Sequence, residues 1–342
     1  MSEQSIATEM STTPPFSNSS TIMDTSFIFE LEEIAANDIT STANYVYSFL
    51  AVLGFLTGCF LLYSFIQTYR DQRRLTELDC LLWAFCGLQL LLVLLSIHAV
   101  AYRPGYLITT HLGCAALSFT INAVSLCGLL VLVLMAYVLT LDPPSHAMLW
   151  KPWVCAALVV LTSILISLLL AGLRGPTDGL QEEGKCFMDP VRAGVLYAAA
   201  RLFLVFLFPY TLQLELLIGD CVRQWKSKGR FLSGSEEGLV FLAVTVVVFF
   251  CQLFYSVVLL RGAHLQKLEQ NGLSHHEQEF LSVAEFVLFS GSSISLLLVL
   301  VIKFVYNFHK LFRQMRDCCR SLGRTQPNRN IEIPDTLQDI ES

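Results

Sequence analysis

Charge is what this chain has least of. Lys, Arg, Asp and Glu together make up 15% of its 342 residues, where soluble domains carry roughly 25%. A soluble fold would need an interior for a composition that is 54% hydrophobic; a bilayer supplies one without it. Positive charge is missing altogether from residues 1–43, which hold Glu3, Glu9, Asp24, Glu30, Glu32, Glu33 and Asp38. No glycine-rich phosphate loop, zinc-type Cys/His spacing or nucleophile motif occurs, so no metal, cofactor or enzymatic chemistry is expected. The net charge of -6 argues against nucleic acid as a partner. Internal repeats of the transporter kind and a buried His/Asp cluster of the metal-hydrolase kind are also missing. No apolar core lies in the first forty residues, so no cleavable signal peptide is expected and the first span starts insertion itself.

Long apolar runs are what the chain does have. The stretch from His111 to Leu141 contains no Lys, Arg, Asp or Glu and stops at Asp142, Pro143 and Pro144. At 1.5 Å per residue it is longer than a bilayer core of about 30 Å requires, so it reads as a tilted transmembrane helix ended by residues that cannot continue one. Further runs cover Asn44 to Gln67, Leu78 to Ala101, Trp153 to Leu173, Ala193 to Gly219, Gly238 to Leu260 and Phe280 to Tyr306. The fold class is therefore an all-α membrane protein, a seven-transmembrane helix bundle with an interfacial eighth helix. Its expected domains are an acidic, disordered extracellular tail over 1–43, the bundle over 44–306, an amphipathic helix over 307–320 and a cytoplasmic tail over 321–342.

An odd number of spans puts the ends on opposite sides, and the charges test this independently. With the acidic end outside, the inner segments hold Arg70, Arg73, Arg74, Lys151, Arg223, Lys226, Lys228 and Arg230, followed by a basic tail from Lys310 to Arg329. The outer loops hold only Arg103, Arg174, Lys185, Arg192, Arg261 and Lys267, in keeping with the positive-inside rule. Asn18-Ser19-Ser20 is a glycosylation sequon on the outer side, or a chance match. Phe308, Leu311, Phe312 and Met315 recur at helical spacing opposite Lys310, Arg313 and Arg316, which suits a helix lying in the inner interface. Cys318 and Cys319 follow it, where thiols are either acylated or left free.

Polar residues inside the runs are the candidate site. Arg201 stays protonated in lipid and needs a partner or water, and Glu285 is the partner on depth grounds; a structural pair and a site for a charged ligand are both open. Gln89 should face the bundle rather than lipid. Pro209 frees a carbonyl and lets the backbone of the fifth run rearrange. Gly54, Gly58 and Cys59, and the serines from Ser290 to Ser295, suit close helix approach. Phe249 to Tyr255 sets aromatics around Gln252, either as core or as a ligand box. Of eleven cysteines only Cys114 and Cys186 fall on the outer side, as one bridge or two free thiols. A bridge would close a loop of about seventy residues, worth roughly 4 kcal/mol in the chain-entropy account.

Seven spans with the N-terminus outside, Cys114 heading the third run, Phe206-x-x-Pro209 in the fifth and the amphipathic run Phe308 to Arg316 resemble the rhodopsin-like G-protein-coupled receptors. The family's switch residues are absent. Gly58-Cys59 replaces its Gly-Asn pair, and Trp83-Ala84-Phe85-Cys86-Gly87 replaces Leu-Ala-x-x-Asp. Val138-Leu139-Thr140, or Ala136-Tyr137-Val138, stands for Asp-Arg-Tyr, and Cys251-Gln252-Leu253-Phe254-Tyr255 stands for Cys-Trp-x-Pro-Tyr. No Asn-Pro-x-x-Tyr follows. The resemblance implies an orphan receptor of the plasma membrane, with Cys114 bridged to Cys186. An extracellular ligand would meet Arg201, Phe206, Gln252, Tyr255 and Glu285. A heterotrimeric G protein would meet Arg223, Lys226, Lys228 and Arg230. A second implication, from the missing arginine, is a non-coupling scaffold, decoy or heterodimer partner of another receptor.

Overall fold

The structure, a computed structural model, describes residues 19–73, 76–101, 107–140, 152–173, 183–186, 194–227, 236–268 and 275–324. Its helices are α1 (Ser19–Gln72), α2 (Glu77–Ala101), α3 (His111–Thr140), α4 (Pro152–Leu173), α5 (Gly194–Arg201), α6 (Phe208–Ser227), α7 (Glu236–Leu268) and α8 (His275–Arg324). A π-helical segment, Leu202–Leu207, joins α5 to α6 without a break, so the two form one span. Among the described residues, seven helical stretches are long and apolar enough to cross a membrane: Ser41–Asp71, Glu77–Ile97, Ala115–Thr140, Val154–Leu173, Gly194–Val222, Glu237–Leu268 and Phe280–Tyr306. The chain is a multi-pass membrane protein with an all-helical bundle, as its apolar runs require.

The helix carrying the longest uncharged run sits at the centre. Within the most apolar part of each span, 61% of α3 is buried inside the protein but only 17% of α4, so α3 is the axis and α4 faces lipid. The outward face of α4 carries Leu158, Leu161, Leu165, Leu168 and Leu169, while Ser163 and Ser167 point inward and are buried. This inversion is stable only where the solvent is hydrocarbon, because small hydroxyl residues then serve helix contact and leucines meet the lipid. Ser163 satisfies its hydroxyl within the helix by donating to the Val159 carbonyl at 2.7 Å.

Helix α1 packs against α2 and α8, and α8 in turn against α2 and α7. A Cβ built on Gly54 would stand 2.4 Å from Ser293 Oγ and 2.8 Å from Ser293 Cα, so only glycine permits the approach of α1 to α8. Gly58 is held between Leu90 and Leu296 in the same seam. Cys59 is exposed and takes no part in it. Above this seam the Tyr47 ring stacks on Phe286 with centroids 5.3 Å apart, and its hydroxyl bonds to Ser96 on α2. Three spans are thereby joined by one side chain.

Three features differ from the sequence expectation. The backbone is helical from Ser19, where no regular structure is expected; no proline or glycine falls between Ser19 and Leu53 to interrupt it. Helix α8 runs unbroken from His275 to Arg324, so the segment expected as a separate interfacial helix over 307–320 continues the seventh span, again with no Pro or Gly between Ser292 and Leu322 to turn it. Two short strands, β1 (Leu107–Thr110) and β2 (Glu183–Cys186), pair antiparallel with Leu107 opposite Cys186 and Thr110 opposite Glu183. Strand β1 leads directly into α3, and β2 also contacts α3, so the loop between α4 and α5 is tied to the head of the central helix.

Candidate functional site

The site begins with a fault in a helix. Pro209 has no N–H to donate back along its helix and its ring would press on the carbonyl four residues earlier, so a regular turn cannot form there. The chain answers by widening: Leu202–Leu207 is π-helical, and the Phe208 N–H bonds to the Phe203 carbonyl five residues back. Wide turns of this kind redirect the side chains that flank them. Arg201 is the residue just before the widened turn, about 10 Å along the span from Gly194.

Arg201 is buried, with 4% of its surface exposed. Its guanidinium carbon lies 4.3 Å from the centre of the Tyr255 ring on α7, a cation–π contact. Among the described residues, Nη1 has no hydrogen-bond partner. One turn before it, the Tyr197 hydroxyl accepts a hydrogen bond from Asn122 Nδ2 of α3 at 3.3 Å, which fixes α5 against the central helix. Arg201 lines a cavity with Gln89 of α2, Ser125 of α3, Gln252 of α7 and Ser292 of α8. The remaining wall is apolar, with Leu92, Ile121, Val248, Leu288 and Phe289. The cavity volume of about 30 Å³ holds one or two waters, or one small polar group.

Across this cavity Gln252 Nε2 donates to Ser125 Oγ at 3.1 Å, while its Oε1 is buried without a partner among the described residues. Either amide orientation leaves Gln252 one unmatched atom beside a cation, because Ser125 engages only one of the two. Gln89 is buried, facing the bundle as expected, and lies close enough to α3 that a Cβ on Gly128 would be 3.1 Å from its Nε2. Cys251 and Gly291 also line the cavity, and Gly291 lets α7 and α8 approach there: a Cβ on it would meet Cys251 Sγ at 3.0 Å. The constellation offers one fixed positive charge, several neutral hydrogen-bonding groups and hydrocarbon walls. It can bind and orient an anion.

Of the residues expected to meet a ligand, Arg201 and Gln252 line the cavity together. Tyr255 supports Arg201 from below its guanidinium. Phe206 packs instead into an aromatic cluster with Tyr210 and Phe249, at centroid distances of 5.0 and 5.3 Å, and Glu285 is half-buried on α8 outside the cavity wall. The backbones of Cys114, Cys186, Arg223, Lys226, Cys318 and Cys319 fall in α3, β2, α6 and α8, but their side chains lie outside the described residues. Asn18, Lys228 and Arg230 lie outside them altogether. Among the described residues no group of three or more His, Cys, Asp or Glu is placed to hold a metal ion.

Sequence reasoning overlooked a second polar cluster, at the end of the bundle remote from the strands. Thr76 caps α2, accepting the Asp79 N–H on Oγ1 at 3.1 Å while its hydroxyl donates to Asp79 Oδ2 at 2.8 Å, an N-cap in which the carboxylate fixes the capping hydroxyl. Asp79 Oδ1 accepts from Lys303 Nζ of α8 at 3.2 Å. The available signal was Lys303 itself, a lone lysine within the seventh apolar run.

No protein-family model matches this chain, and no curated protein matches it.

Proposed function

We propose that this chain is a plasma-membrane receptor of the rhodopsin-like G-protein-coupled kind, with its N-terminus outside. One observation carries the reading more than the others: the loop strand ending at Cys186 is laid by β1 against the head of the central helix. In such receptors this loop is bridged to the third helix, and here the bridge is Cys114 to Cys186. Supporting it are seven apolar helices, a fifth span re-aimed at Pro209, and a buried polar cavity bounded by the second, third, fifth, sixth and seventh spans. A ligand enters from the outer side and is met by Arg201 and Gln252, with Tyr255, Phe206 and Glu285 behind them. Asn18 carries glycan, and Cys318 and Cys319 carry acyl chains. The chain transmits rather than catalyses.

Transmission requires two bundle states that a ligand and a cytoplasmic partner favour unequally. Arg223, Lys226, Lys228 and Arg230 are the contacts for a heterotrimeric G protein. A G-protein dissociation assay in cells, run across every G-protein class with and without candidate ligands, tests coupling. The reading expects dissociation for at least one class above mock-transfected cells; flat responses for all classes contradict it.

A second reading is a receptor-shaped scaffold, decoy or partner of another receptor. Two observations favour it: Thr140 stands at the end of α3 in place of a charged triplet, and Asp79 and Lys303 clamp the second and seventh spans at that same end. Co-purification with another receptor, without G-protein activation, distinguishes it.

A further inference from the structure

We propose that the cavity beside Arg201 is a binding site for the carboxylate of a short-chain aliphatic acid. Four observations combine. First, the site holds a guanidinium whose Nη1 has no acceptor among the described residues, in a position that bulk water does not reach. A buried guanidinium in a membrane span calls for an anion or a strong acceptor at that atom. Second, Ser125 accepts from Gln252 Nε2 and so keeps its hydroxyl hydrogen free to donate; the flipped amide would instead spend that hydroxyl on Gln252 Oε1 and free the Gln252 NH2, so either orientation leaves one further donor in the cavity with the guanidinium. A carboxylate has two oxygens and so can engage both partners at once.

Third, much of the wall is hydrocarbon: Ile121, Val248, Leu288 and Phe289 lie beside the polar groups. A hydrated inorganic ion gains nothing from such walls, whereas an alkyl group is removed from water by them. Fourth, a volume of about 30 Å³ admits the carboxylate and little more than one or two carbons, so acids of acetate or propionate size fit and longer ones do not insert fully. The Tyr255 ring holds the guanidinium from its other side, so the charge is oriented before the ligand arrives. Two ordered waters are the competing occupants, and they leave the positive charge unneutralised.

The inference deepens the receptor reading and rests on it for the ligand's biological role, but the binding is measured without any signalling step. Failure of coupling and failure of binding are therefore separate results. The test uses the full chain purified in detergent, melted at constant ionic strength in sodium isethionate with increasing acetate, propionate or butyrate. The expected result is a saturable rise in melting temperature for acetate and propionate, a weaker one for butyrate, and none for acetamide or propionamide. Arg201→Gln should weaken the apparent affinity at least tenfold. Should that variant fail to fold, saturation transfer from the wild-type protein to the methyl protons of acetate, displaced by propionate, gives the same answer. Absence of a saturable shift and of saturation transfer overturns the proposal. So does an equal response to the neutral amides, an undiminished response in Arg201→Gln, or an equal shift from chloride, which marks a halide site instead.

Discussion

Lys303 Nζ stands 3.2 Å from Asp79 Oδ1 and 4.4 Å from the centre of the Phe65 ring, so one ammonium joins the first, second and seventh spans at the end remote from the strands. Both charged side chains keep about a quarter of their surface exposed, at 24% and 25%, enough for partial hydration but not enough to make the pair indifferent. Asp79 is doubly committed, since it also closes the cap of α2 with Thr76. Asp79→Asn is expected to lower stability by about 1–3 kcal/mol, the range for losing a charged hydrogen-bond partner. Lys303→Met is expected to cost less, because its stem keeps the contact with Phe65 while the charge leaves. A double-mutant cycle on melting temperature measures the coupling; additive effects would mean that the pair contributes nothing.

Gly54 is the tightest point between α1 and α8. Gly54→Ala places a methyl where Ser293 Oγ and Cα now lie, and the helices must separate. Overpacking of this kind costs about 1–3 kcal/mol. Gly172 on α4 is the control, since nothing lies within 4 Å of a Cβ there. Gly172→Ala is expected to leave stability unchanged or raise it by up to about 1 kcal/mol through helix propensity. Parallel thermal melts of the two variants in one detergent check the contrast.

Tyr47 separates packing from hydrogen bonding. Tyr47→Phe keeps the stack on Phe286 and removes the bond to Ser96, at an expected cost of about 0.5–1.5 kcal/mol. Ser96 retains its bond to the Val93 carbonyl at 2.7 Å, so it is not left unsatisfied. Tyr47→Ala removes the ring as well and is expected to cost about 3–5 kcal/mol. Equal losses for the two variants would show that the ring contributes little.

The proposed Cys114–Cys186 bridge has a direct chemical check. Non-reducing digestion and mass spectrometry of the protein from intact cells should yield one linked peptide, and Cys114→Ser should lose about 2–5 kcal/mol of stability. Recovery of both cysteines as alkylated thiols contradicts the bridge.

Much of the bundle was legible because lipid imposes a simple rule on composition. Every apolar run of the sequence is a helix, and the charge-free run from His111 is the most buried of them. Pro209 announced local rearrangement and the π-helical segment is there; Gly54 and Gly58 announced close approach and the seam is there. Arg201 and Gln252 were legible as polar intruders in apolar runs, and they share one cavity. What periodicity could not show was distance across the fold. Lys303 and Asp79 are separated by 224 positions, and nothing local to either names the other. Nor does an amphipathic pattern say where a helix ends: the stripe of Phe308 and Phe312 is equally compatible with a separate helix and with the unbroken α8 that is found. Phe206 follows from the resemblance and Glu285 from depth, and neither decides which side of a helix faces a cavity.

Everything rests on an odd number of crossings with the acidic end outside, and a two-tag accessibility measurement on living cells addresses it most directly. One epitope is inserted before Ile39 and another after Ser342. The account predicts antibody labelling of the first on intact cells and of the second only after permeabilisation. Labelling of both, or of the second alone, on intact cells would contradict it.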